Sequence, residues 1–245
     1  MSAVVFTLKS GTVFGMKNLV ANQESMNSFG AQIGFKFNQD GSSARYLGNT
    51  VVSAINADNP AYPVLLETIE SIDREGLLPR LILLPRASYH VTIIRGLNDR
   101  VRTAEFWPSA LPVTASLMEM DHYVTERLEG IPFPASFAMT FGRLQWNDED
   151  VRICLAPATP ETGRELRAFR DRIADRLGLR LPGHDSYAFH TTLAYVHHRA
   201  REGDAEKMAR ITERFIERHA GKALEISAPY LAFYEDMMAF PRERK

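Results

Sequence analysis

Residues 88–96 read SYHVTIIRG, and residues 188–196 read AFHTTLAYV. Each places an aromatic residue, His, any residue, Thr and an aliphatic residue in succession. In a β-strand successive side chains point to opposite faces. His90 and Thr92 therefore share one face, while Val91 and Ile93 take the other. His190 and Thr192 pair in the same way, with Thr191 and Leu193 behind them. An imidazole exchanges a proton near neutral pH, and a hydroxyl can donate to a phosphoryl oxygen. Two such units facing one another would put a base on one side of a phosphorus and an acid on the other. The plainer alternative is two partly buried histidines whose ring nitrogens are satisfied by backbone carbonyls.

Outward from these phrases, the chain divides into two similar halves. In the first, IGFKF and YLGNTVVSAI around the turn NQDGSSA predict a β-hairpin. A helix over NPAYPVLLETIESIDREG follows, then the strands LPRLILLP and SYHVTII, then a long helix over SALPVTASLMEMDHYVTERLEG. In the second half, FAMTFGRLQW and DVRICLAP form a strand pair. They precede an arginine-rich helix, the strand YAFHTTLAYV, another helix and a strand-like ending. This order, ββαββα then ββαβαβ(β), predicts an α+β fold: two pseudo-duplicated lobes, antiparallel sheets lining a central cleft, helices outside. Residues 1–28 are expected to be a flexible N-terminal arm, and 29–245 a single two-lobed domain. The segment 96–112 is the expected long loop.

Composition narrows the classes of function. The 245 residues carry a formal net charge of −1, with 45% hydrophobic and 24% charged residues. Such balance suits a globular protein and argues against coating nucleic acid by charge alone. The one cysteine, Cys154, permits no intramolecular disulfide and reads as a buried core thiol. No apolar stretch reaches membrane-spanning length, and the first residues lack a secretory pattern. The expectation is a cytoplasmic protein without a membrane partner. There is no P-loop, CxxC pair or serine elbow.

Other residues offer themselves as substrate contacts. Arg86, four before His90, could reach a phosphate from the cleft edge. Tyr187 stands three before His190, in reach only if the strand begins late. Asn49, with Tyr46 beside it, could face the cleft or occupy a bulge. Trp107, in the long loop, could stack on a nucleobase. His184, Asp185 and His190 could be read as a metal triad, but the compact spacing is missing and no metal is expected. The helix GRELRAFRDRIADRLGLR alternates arginine with acid, which predicts a solvated face laced with salt bridges.

HVTI and HTTL resemble the paired signatures of the 2H phosphoesterase superfamily, His-apolar-Ser/Thr-apolar, which includes bacterial RNA 2′,3′-cyclic phosphodiesterases. The likeness runs over roughly residues 30 to 240 and, in YLGNTVVSAI and YLAFYEDMMAF, looks like an uncharacterised bacterial and fungal branch. The resemblance implies cofactor-free, metal-independent hydrolysis of a cyclic phosphodiester, with a small nucleotide or RNA end as partner. A non-catalytic nucleotide-binding module is the alternative. It also implies that His90 and His190 are the acid–base pair and that Thr92 and Thr192 hold the phosphate. Thr191 departs from the pattern, and a polar backing residue predicts a shallower second copy.

Overall fold

The computed structural model describes residues 28–244; apart from Ser28, the arm expected at the N-terminus lies outside them. The described chain runs through β1 (Gly48–Ala54), α1 (Tyr62–Arg74), β2 (Leu81–Leu83), β3 (His90–Asn98), α2 (Leu117–Leu128), β4 (Ser136–Trp146), β5 (Asp150–Pro157), α3 (Pro160–Leu177), β6 (His190–Val196), α4 (Asp204–His219), β7 (Ala223–Ser227) and β8 (Tyr230–Tyr234). The fold is mixed α+β, with one antiparallel sheet in the order β3-β1-β8 and a second in the order β2-β6-β5-β4-β7.

The two phrases become β3 and β6, one in each sheet. They approach one another across a cleft. Their backing residues are sealed: Val91, Ile93 and Leu193 are all 0% exposed. Thr191 is 1% exposed, so the polar backing residue does not open the back of the second copy. Its Oγ1 has no hydrogen-bond partner among the described residues.

Each sheet borrows a strand from the other half of the chain. β8, near the C-terminus, pairs with β1, and β2 pairs with β6. The hairpin expected around residues 33–55 does not form. Residues 33–43 make only isolated bridges. The Gln32 carbonyl instead accepts from the amides of Phe35, Lys36 and Phe37, coiling the chain so that Phe37 is wholly buried. β1 is thereby left to pair with β3 and β8.

Two of the helices, α2 and α3, begin at side-chain caps. α2 starts at Leu117, later than its apolar pattern predicts. Ser116 accepts from the Glu119 amide, and the Glu119 side chain returns the bond to the Ser116 amide, a full capping box. Thr159 caps α3, and Gly178 ends it at φ 61°, a left-handed conformation that glycine adopts without steric cost. α3 packs against α2 and the back of β3, and α4 lies on β4. No helix among the described residues is long and apolar enough to cross a membrane.

Candidate active site

His90, Thr92, His190 and Thr192 all line one cavity of about 310 Å³ between the sheets. The two imidazoles are held alike. His90 Nδ1 lies 2.7 Å from the Ser88 carbonyl, and His190 Nδ1 lies 2.9 Å from the Ala188 carbonyl. A carbonyl can only accept, so each Nδ1 carries the hydrogen and each Nε2 keeps its lone pair. The backbone two residues upstream thus sets the same tautomer twice. Burial pushes His90 down to about 4, and the neighbouring His190 adds to the effect. Burial lowers His190 as well, and Arg152 lowers it further, while Asp150 pulls the other way.

A shared irregularity extends the match between the two strands. Along β3, Val52 pairs with Thr92 but Val51 with Ile94, so one residue is extra. Along β6, Arg152 pairs with Thr192 but Val151 with Ala194, the same one-residue slip. A β-bulge reverses the alternation beyond it. The residue five after each histidine, Arg95 or Tyr195, therefore joins the His–Thr face, and both line the cavity. Strict period-two reading puts them on the back.

The cavity wall carries more cationic than acidic side chains. Lys36, Arg95 and Arg152 line it, against Glu149 and Asp150. Asp150 is 3% exposed and is engaged by a bidentate pair with Arg152, which the sheet register places opposite Thr192. The Lys36 amine donates to the Tyr195 hydroxyl at 3.2 Å, and burial lowers its affinity for a proton. Arg95 makes no ion pair among the described residues. Phe240 covers His90 at 4.0 Å between ring centroids.

The other expected contacts divide. Tyr187 precedes β6, so strand parity does not govern it. It lines the cavity together with Thr92, and burial raises its hydroxyl's pKa. Tyr46 lines it too. Arg86 is exposed on a short 3-10 turn and does not line the cavity. Asn49 is 1% exposed and structural: its Oδ1 accepts from the Leu97 amide at 2.9 Å, in space left open by the absent side chain of Gly96. Trp107 is 4% exposed; its indole donates to the Leu111 carbonyl at 2.9 Å, so it braces the loop and cannot stack on a ligand. Cys154 is half-buried, with Sγ 3.2 Å from Gln145 Oε1. The metal grouping changes membership. His184 bonds Asp171 at 2.9 Å, and Asp171, His184 and Asp185 cluster without His190. Arg180 already supplies that cluster's positive charge, 3.0 Å from Asp171 and 3.0 Å from Asp185.

Residues 36–147, which hold the first phrase, match the family model 2H-phosphodiest, described as a domain of unknown function (DUF1868). Over that stretch the chain is similar to the 2H phosphoesterase family. A conserved protein of unknown function from Agrobacterium tumefaciens has a similar crystal structure: TM-score 0.77 at 25% identity, over 87% of this chain and 91% of that one. No curated protein matches. The matched stretch is therefore 2H-phosphodiesterase-like, and the second phrase lies beyond it.

Proposed function

We propose that this protein hydrolyses a cyclic phosphodiester, of the nucleoside 2′,3′-cyclic phosphate or RNA-end type, by paired-histidine acid–base catalysis without a metal ion. The observation that carries this reading is two imidazoles of one tautomer, each with Nε2 unengaged among the described residues, in one cavity with two threonines. One Nε2 takes a proton from water as its oxygen bonds to phosphorus. The other returns a proton to the ester oxygen as the P–O bond breaks, leaving a phosphomonoester. In a cyclic ester the departing oxygen stays tethered, so both proton transfers remain within the cavity. Thr92, Thr192, Arg95 and Arg152 hold the non-bridging oxygens as charge builds on them. These donors and cations supply the stabilisation that a metal gives elsewhere.

The surroundings also divide the roles. Burial holds His90 down at about 4, so it stays neutral and is the base. His190 has Asp150 favouring its charged form, so it is the acid once an anionic substrate offsets the cavity's cations. The test is turnover of a panel of 2′,3′- and 3′,5′-cyclic nucleotides and cyclic-ended RNAs in EDTA. Hydrolysis with a bell-shaped pH dependence supports the reading. A flat profile between pH 5 and 9 sinks the two-histidine mechanism, and saturable binding without product turns the cleft into a binding site.

A further inference from the structure

Tyr187 has a second face. On that side lies another hollow, of about 350 Å³, with Arg164, Arg167 and Arg170 of α3 in its wall. Residues three apart are neighbours on a helix, so the three form a row. The salt-bridged, solvated face expected of this helix is not what the row shows. Of the helix's five arginines, only Arg164 meets a carboxylate among the described residues, Glu161 at 3.6 Å with both side chains largely exposed. Arg167 donates to the Asp185 carbonyl at 3.0 Å. Arg170 is 5% exposed and donates to the His184 carbonyl at 2.8 Å and to the Ile93 carbonyl, at the β3 bulge. A carbonyl orients a guanidinium without cancelling its charge. The wall's carboxylate, Asp185, is drawn to Arg180 at 3.0 Å. The hollow therefore keeps a net positive charge.

It is joined to the catalytic cleft through one side chain. Tyr187 lines both. The Arg170 guanidinium, which lines the second hollow, lies 4.4 Å from its ring centroid, and Thr92 lines the cleft with it. A ligand passing over this ring has one phosphate at the histidines and meets the arginine row next.

We propose that this hollow binds a second phosphate of the substrate, so that the preferred substrate is a short oligonucleotide end or a nucleotide bearing another phosphate. This rests on the phosphodiesterase reading above. The experiment reads binding, which does not depend on turnover. Three ligands are titrated: a nucleoside carrying only a terminal 2′- or 3′-phosphate, the same nucleotide with a 5′-phosphate, and a dinucleotide with the same terminus. Wild type is compared with Arg164→Glu and with the double variant Arg164→Glu/Arg167→Glu.

Wild type is expected to bind both doubly phosphorylated ligands about tenfold more tightly, from charge-assisted hydrogen bonds to the row. The double variant should lose that gain and keep its affinity for the singly phosphorylated ligand. The better of the two longer ligands identifies whether the phosphate belongs to a strand or to a 5′ end. Equal affinities, equal losses for all three ligands, or no binding of any overturn the proposal. Should circular dichroism show the double variant unfolded, Arg164→Glu decides alone, its side chain being 70% exposed. Turnover of cyclic substrates without the affinity gain would defeat this inference and spare the hydrolytic one. The gain without turnover would do the reverse.

Discussion

β3 is an edge strand of a three-stranded sheet, whereas β6 lies between β2 and β5 in a five-stranded one. Both carry His and Thr on the cleft face, and both bulge directly after the Thr. Their support differs. β3 brings its own cation, Arg95, while β6 takes Arg152 from the neighbouring strand and contributes Tyr195 instead. The difference teaches that the repeated unit is the His–Thr pair with its bulge, and that the cations around it differ on each side.

The strongest way to break this comparison is to remove each imidazole. His90→Ala and His190→Ala should each lower kcat on a cyclic phosphodiester by about 10²–10⁴-fold, with melting temperatures near wild type. Loss in only one variant would end the equivalence of the two strands. The cations should separate more sharply. Arg95→Ala should slow turnover by about a hundredfold and leave stability within about 0.5 kcal/mol. Arg152→Ala should slow turnover too, and should also cost about 3 kcal/mol in urea unfolding, because it strands buried Asp150 without its partner.

Smaller effects probe the backs of the strands. Thr191→Val removes a buried hydroxyl without a partner and should raise stability by about 1 kcal/mol; a loss would mean that the hydroxyl is satisfied. Acid should act through His90. Its folded pKa of about 4 lies below the ordinary 6.5, so the folded state binds fewer protons between those values. This contribution is fully present above about pH 6.5 and is lost as the pH falls toward 4. Urea melts at pH 7 and 4.5 should show a smaller drop for His90→Gln than for wild type.

Much of this was legible in the residues. The period of two placed His90 with Thr92 and His190 with Thr192, and apolar spacing located the four helices. What escaped reading depended on long-range pairing. Parity assigned Arg95 and Tyr195 to the back because a bulge leaves no mark in the residues that form it. Lys36 was placed in a hairpin that lost to burial of Phe37, and this coil is what brings its amine to the cleft. Asn49 and Trp107 have the chemistry of ligand contacts, but tertiary structure uses that chemistry on the backbone. The Arg-acid alternation of α3 suggested ion pairs, yet most of its arginines turned to carbonyls on other segments.

The exchange of β2 and β8 between the sheets has a consequence for synthesis. Domains tend to fold as they emerge from the ribosome, N-terminal part first. Here β1 and β3 can pair early, but the other edge of β1 stays bare until Tyr230–Tyr234 has been made. Phe240, which covers His90, is translated later still. A ribosome halted in α4 would hold both histidine strands and no finished cleft, so the cleft is complete only once β8 and Phe240 have been made.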